Sequence, residues 1–312
     1  MSSGIGVPKH FSVTQKGSDT FLLKERYKYP ILWQIVMEFS AEAREGKSAF
    51  YGRGACLAIP VSDLRDRRLI IRHYSHGGLW GKLAGDILWG HNRPLNELVN
   101  TEKALKQGVD TAEVVALRFK NFFGPLCRAD IFTMEIADAE DLIAFLTGHT
   151  AEEILPQKKR LIGRIAKAVR KMHDTGIYHA DLHLKNILVK LTDIPKVYII
   201  DLDKSEFNTN EADRGLPTGQ RMDNILRLDR SVEKFNRWRP DLKLIAKTDR
   251  LRFLREYTTA SIANEGPDTL KNDWKDLARR YTNRYAAHRL WWGLLRTVGL
   301  SIYGFDKRPG QQ

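Results

Sequence analysis

Short apolar runs with strand character fill the chain to about residue 136, and helical periodicity takes over beyond it. Residues 56–61 alternate after two glycines, Gly52 and Gly54, and residues 68–74 (RLIIRHY) form a second β-rich run. Residues 96–107 read as a helix with Gly108 as its stop. Residues 113–119 and 131–136 are the next apolar runs, separated by NFFGPLCRAD, which suits a turn. Thereafter residues 140–146 suit a short helix. Residues 157–173 suit a long one, with Leu161, Ile165, Ala168 and Met172 on one face and Gly176 just past its end. Two β runs follow, 187–191 and 197–200, and the chain from 221 onward is mainly helical and basic. Strands first and helices second predict an α+β, two-lobed architecture: an N-terminal extension over 1–45 with a short amphipathic segment at 31–39, a β-rich N-lobe over 46–136 and a helical C-lobe over 137–312.

A chain of 312 residues with 42% hydrophobic and 29% charged residues can bury a sizeable core, which excludes a disordered or collagen-like chain. The two cysteines, Cys56 and Cys127, form no CxxC pair. So little sulfur suits a reducing compartment and gives no metal-ligand spacing. Residues 1–17 hold no apolar core of a secretory signal, and the most apolar stretch, 29–39, is about half the length of a bilayer span. A cytoplasmic protein is expected. The 51 Lys+Arg against 38 Asp+Glu leave a net charge of +13, which favours an acidic partner: nucleic acid, an anionic membrane or a phosphorylated substrate.

The chemistry concentrates in residues 173–203, HDTGIYHADLHLKNILVKLTDIPKVYIIDLD. Asp181 and Asn186 stand five apart, and Asp201 follows fifteen residues later at the end of an apolar run. Carboxylates between two short strands must face a cleft or water, because burying one unpaired is prohibitively costly. Two carboxylates and an amide can hold Mg²⁺, which takes hard oxygen ligands. Phosphoryl transfer needs such an ion, together with a carboxylate that orients the attacking hydroxyl. Taken alone, Asp201-Leu202-Asp203 also suits a surface turn or the DxD of a glycosyltransferase.

His179-x-Asp181-Leu182-x-x-x-Asn186 resembles the catalytic loop of the protein-kinase-like superfamily, and Asp201-Leu202-Asp203 stands where that superfamily carries its metal-binding DFG. Ala180 and His183 depart from the protein-kinase pattern and bring HADLHLKN closer to the HGDLHPGN of kinases acting on sugars and other small molecules. Tyr51-Gly52-Arg53-Gly54 and Ile71-Arg72-His73-Tyr74-Ser75-His76-Gly77-Gly78-Leu79 resemble the GRG…RHYxxGG signature of the bacterial lipopolysaccharide kinase family. Residues 224–231 and 252–254 look like that family's C-terminal helices. The resemblance covers roughly residues 50–260.

It implies a two-lobed kinase-like fold that transfers phosphate from ATP, with Mg²⁺, to a sugar hydroxyl of a glycolipid acceptor: 3-deoxy-D-manno-octulosonic acid (Kdo) on lipid A, or core heptose in a sister branch. A small-molecule kinase and a pseudokinase that binds lipopolysaccharide precursors stay open beside it. Residue by residue, Gly52 and Gly54 would lie in the turn over ATP, where backbone N–H groups can approach phosphate. Arg72 falls where the superfamily carries its phosphate-pairing lysine, with Glu97 as its ion-pair partner and Glu102 as the alternative. Glu135 marks the adenine hinge. Asp181 would orient the hydroxyl and accept its proton, and Asn186 and Asp201 would bind Mg²⁺. The implied place is the cytoplasmic face of a Gram-negative inner membrane, and no nucleic-acid motif accompanies the positive charge.

Other residues have plainer readings. His173 and His179 suit bracing roles behind the loop, while His183 shares the cleft with Asp181. Asp203 suits a second metal or a structural carboxylate, and His73 and His76 a phosphate loop or a polar turn. Residues 221–312 hold 20 Lys+Arg against 11 Asp+Glu, nine of the thirteen net charges. Within them Trp274, Leu277, Tyr281, Tyr285, His288, Trp292 and Leu295 recur at helical steps. Such a stripe suits either packing on the C-lobe or an anionic membrane interface.

Overall fold

The computed structural model describes residues 6–42, 56–61, 67–75, 85–208, 215–242, 244–260, 279, 281–283 and 286. Its strands are β1 (Phe11–Lys16), β2 (Asp19–Lys24), β3 (Cys56–Pro60), β4 (Arg68–His73), β5 (Leu88–Trp89), β6 (Val114–Asn121), β7 (Leu126–Met134), β8 (Ala139–Asp141), β9 (Ile177–His179), β10 (Ile187–Lys190), β11 (Lys196–Ile199) and β12 (Ser205–Phe207). Its helices are α1 (Pro30–Glu42), α2 (Asn92–Lys106), α3 (Leu142–Gly148), α4 (Ala151–Asp174), α5 (Thr218–Trp238) and α6 (Lys247–Thr259). The N-lobe is one antiparallel sheet in the order β1-β2-β6-β7-β4-β3, with β5 paired to β7. The C-lobe is helical, with two small sheets, β11-β10-β8 and β12-β9.

Side chains alternate across a strand, and here both faces of the sheet are covered. Phe21 and Leu23 of β2 join Leu69, Ile71, Phe132 and the α1 residues Leu32 and Val36 in one cluster. Leu22 joins Leu117, Ile131 and the α2 residues Leu95 and Leu98 in another. That is why Phe21, Leu22 and Leu23 of β2 are consecutive apolar residues instead of alternating with polar ones. Each fully buried leucine stabilises the lobe by roughly 1.5–3 kcal/mol. The same period fixes the chemistry of β4: Leu69 and Ile71 face α1, so Arg72 and Tyr74 fall on the side of α2.

The hairpin β1–β2 corrects the domain boundary at residue 46. It pairs with β6 and so belongs to the N-lobe sheet, where the sequence reading has an extension. Gly17, at φ 60, makes its tight turn. The 31–39 segment lies within α1. The region assigned to a turn at 121–130 is mostly strand, with only residues 122–125 connecting β6 to β7. The helix expected from residue 157 begins at Ala151, six residues before it, because Thr150 and Glu153 form a capping box and Pro156 falls near the helix start. The C-terminal aromatic stripe lies outside the described residues except Tyr281, which is buried in the C-lobe core.

Candidate active site

α4 delivers the chain to the site. It ends at Asp174, Gly176 turns at φ 77, and β9 brings in His179 and then Asp181. His173 is fully buried between α5 and α6: Tyr257 Oη donates to its Nδ1 at 2.7 Å, and its Nε2–H donates to Asn224 Oδ1 at 3.2 Å. Burial first, and the Arg221 charge second, push its pKa down to about 3, so it is a neutral bracing residue. Asn224 also holds His179, accepting from its N–H at 3.0 Å and donating to its carbonyl at 3.1 Å.

His179 joins the two halves of the site. Its Nδ1 accepts the Asp181 N–H at 3.2 Å, and its Nε2–H donates to Ile200 O at 3.0 Å, next to Asp201. A backbone donor on one nitrogen and a backbone acceptor on the other fix a single neutral tautomer, and burial lowers the pKa in the same sense. Asn186 adds two links: its Nδ2 donates to Asp181 O at 2.9 Å, and its own carbonyl accepts the Ile200 N–H at 3.0 Å. Leu184 N–H donates to Ser231 Oγ of α5 at 3.1 Å. The Asp181 side chain stays about a third exposed, with His183 Nε2 at 3.9 Å from its Oδ2. Asp181, Asn186 and Asp201 are therefore tied into one hydrogen-bonded loop pair.

Across the lobes, Arg72 Nη2 reaches both Glu97 oxygens at 2.5 Å, and its Nη1 lies 3.4 Å from Asp201 Oδ1. Glu97 is buried, which raises its pKa despite the pull of Arg72. Tyr74 Oη donates to Glu97 as well. Glu102 pairs elsewhere, with Lys24 and His10. Glu135 follows β7 and binds Arg68 Nε at 2.7 Å. Its N–H donates to Arg68 O at 2.9 Å and is thus taken up within the sheet. Gly52, Gly54 and His76–Gly78 lie outside the described residues.

Several contributors have no sequence motif. Arg93 of α2 donates to Asp203 Oδ2 at 2.8 Å, and the Tyr74 ring has guanidiniums near it from Arg93 at 5.3 Å and from Arg72 at 5.0 Å. Asn100 of α2 donates to the carbonyls of Leu202 and Ser205 at 3.0 and 2.8 Å. His73 is bound by Asp130 at 2.5 Å and Asp86 at 3.0 Å, a structural bridge on the N-lobe sheet.

Carboxylate oxygens of Glu97, Asp201 and Asp203 lie within 4.8 Å of one another. Arginines pair closely with Glu97 and Asp203, whereas Asp201 Oδ1 is buried with no hydrogen-bond partner among the described residues and only the longer 3.4 Å ion pair to Arg72. A carboxylate oxygen without a hydrogen bond, beside other hard oxygen donors, fits a divalent cation such as Mg²⁺. Among the described residues, no helix is long and apolar enough to cross a membrane.

The family described as "Lipopolysaccharide kinase (Kdo/WaaP) family" matches residues 59–257. Three similar proteins are named 3-deoxy-D-manno-octulosonic acid kinase. That of Vibrio cholerae is 31% identical over 187 residues, 59% of this chain and 72% of its own. That of Haemophilus influenzae (strain 86-028NP) is 33% identical over 192 residues, 59% and 73% of the two chains. That of Actinobacillus succinogenes is 27% identical over 265 residues, 83% and 90%. The solved structure of WaaP in complex with acyl carrier protein matches with a TM-score of 0.53 at 19% identity, over 85% of this chain and 97% of that chain. It carries the same two-lobed protein-kinase-like fold.

Proposed function

Since this chain belongs to the lipopolysaccharide kinase (Kdo/WaaP) family and is a phosphotransferase acting on a sugar hydroxyl in lipopolysaccharide core biosynthesis, we propose that its acceptor is Kdo on a lipid A glycolipid. The acceptor rests on the relatives' names, and one observation supports the phosphoryl transfer itself above the others. Arg72 contacts Glu97 of the N-lobe helix and Asp201 of the C-lobe loop together, an arrangement suited to phosphate between the lobes.

Asp181 orients the acceptor hydroxyl and takes its proton as the new P–O bond forms and the bond to ADP breaks. Its carboxylate is accessible while its backbone is held by His179 and Asn186, so it is positioned without being buried. Arg72, fixed by Glu97 and Tyr74, binds the nucleotide phosphates. Asn186 and Asp201 are the residues that would hold Mg²⁺, and the bound ion would neutralise charge on the phosphates. Positioning supplies most of the acceleration. His173, His179 and Asn224 serve it by keeping the loop rigid.

The deciding experiment is product analysis by mass spectrometry, with ATP, Mg²⁺, Kdo-lipid A and heptosylated acceptors side by side. A mass increase of one phosphate on Kdo-lipid A is expected. Phosphate found only on heptose would replace Kdo as the acceptor, and no transfer to either would sink the reading. A peripheral position on an anionic membrane fits both the acceptor and the +13 net charge.

A further inference from the structure

Asn224, Arg227 and Ser231 recur at steps of three and four along α5, so they share one stripe of that helix. The two ends of the stripe hold the catalytic loop: Asn224 bonds the backbone of His179, and Ser231 accepts the Leu184 N–H. Arg227 thus stands between two anchors that bracket Asp181 in the sequence. Its Nε is buried and has no hydrogen-bond partner among the described residues. A buried guanidinium donor without an acceptor is costly, and such groups call for a ligand or a function.

Arg230 reinforces this. It is partly buried, with Tyr178 of β9 nearby, and the Arg227 charge acts on it. Burial first and Arg227 second lower its pKa, against the smaller raising pull of Tyr178 and Asp223. Asp223 supplies one negative charge against these two cations, and the surplus positive charge in a partly desolvated place favours a further anion.

We propose that Arg227 and Arg230 form the acceptor's anion site, taking a carboxylate or phosphate of the glycolipid and so presenting the sugar hydroxyl to Asp181. This rests on the functional reading above, and it assigns to that reaction a binding site separate from the nucleotide's. Guanidinium forks match carboxylate and phosphate geometry in two-point contacts, which a lysine cannot reproduce. The acceptor offers both sources: the Kdo acid group, and the phosphates of lipid A.

Steady-state kinetics on the full chain, with Kdo-lipid A in mixed micelles, test it through the Arg227→Met, Arg227→Lys and Arg230→Gln variants. The acceptor KM should rise at least tenfold in Arg227→Met and in Arg230→Gln, with the ATP KM within twofold of wild type, and Arg227→Lys should recover part of the loss. Two modified acceptors separate the sources: one with the Kdo carboxylate converted to an amide, the other with the lipid A phosphates removed. Whichever modification weakens wild type but no longer costs Arg227→Met identifies the bound group. If both modifications still cost that variant as much as they cost wild type, the inference falls. An unchanged acceptor KM in both Arg227→Met and Arg230→Gln, or a rise confined to the ATP KM, overturns it alone. No turnover by wild type on any acceptor overturns the functional reading, and this site with it. If Arg227→Met does not fold, the Arg227→Lys and Arg230→Gln comparisons decide the question on the same criteria.

Discussion

Arg72 binds both carboxylate oxygens of Glu97 at 2.5 Å, with Glu97 about 5% exposed. Removing one partner of such a buried pair strands the other and costs about 3–5 kcal/mol, far more than the pair itself contributes. Arg72→Met should therefore lower both the melting temperature and transfer, and Glu97→Gln should do so more mildly. The double variant Arg72→Met/Glu97→Leu should recover much of the stability and none of the activity. Thermal melts beside an ATP-consumption assay check this, and recovery of activity in the double variant would remove Arg72 from the phosphate site.

Asp181 gives the opposite pattern. Its side chain is about a third exposed and only its backbone is held, so Asp181→Ala should leave the melting temperature within a few degrees. Loss of an orienting and proton-accepting group should cut kcat at least about a hundredfold. Wild-type turnover by this variant would remove the residue from the chemistry.

Asp201 stands at φ 65, left-handed backbone that costs a non-glycine residue about 1–2 kcal/mol. Its Oδ1 is also buried without a hydrogen bond, with only the 3.4 Å contact to Arg72 beside it. Asp201→Gly sheds both costs, so its unfolding free energy should stay within about 1 kcal/mol of wild type despite the looser unfolded chain. Transfer should be lost and Mg²⁺-dependent nucleotide binding weakened, which nucleotide titrations with and without Mg²⁺ would reveal. Unchanged Mg²⁺ dependence would place the ion elsewhere.

Binding to anionic liposomes should fall steeply between low and high salt, because the attraction comes from the +13 net charge, screened within about 10 Å at 0.1 M. Co-sedimentation with vesicles containing anionic lipid measures it. Salt-independent or absent binding would remove the membrane from the proposal.

The convergence of Asp181, Asn186 and Asp201 on one hydrogen-bonded loop pair was legible because they sit within twenty-one residues between short strands, where local spacing constrains placement. The two-lobed division was legible for a similar reason, since strand and helix periods differ. What escaped are partners distant in the chain. Arg93 and Asp203 are 110 residues apart, and Asn224 and His179 are 45 apart, and no periodicity links such pairs. The β1–β2 hairpin escaped because β2 is covered on both faces. It loses the alternation by which a strand is recognised, while exposed β1 keeps too few apolar residues to announce itself.

Acid should destabilise the protein through His173. Its folded pKa of about 3 lies below the unfolded value near 6.5, so the neutral form is favoured by folding. That stabilisation is complete above about pH 6.5 and is lost as pH falls toward 3, at about 1.4 kcal/mol per pH unit. Between pH 6.5 and 5 the loss is about 2 kcal/mol, and burial of His179 adds to it in the same direction. His73 works against the trend: Asp130 and Asp86 raise its pKa, so its contribution is full below about 6.5 and fades as pH rises through the raised value. Urea midpoints from pH 7 to 4.5 for wild type, His173→Gln and His73→Gln separate the two. His173→Gln should be less stable at pH 7 yet flatter toward acid, and His73→Gln should lose stability by a nearly constant amount below about pH 6.5, keeping the wild-type acid slope. Equal acid slopes in wild type and His173→Gln would mean that His173 is not the neutral brace its contacts with Tyr257 and Asn224 require.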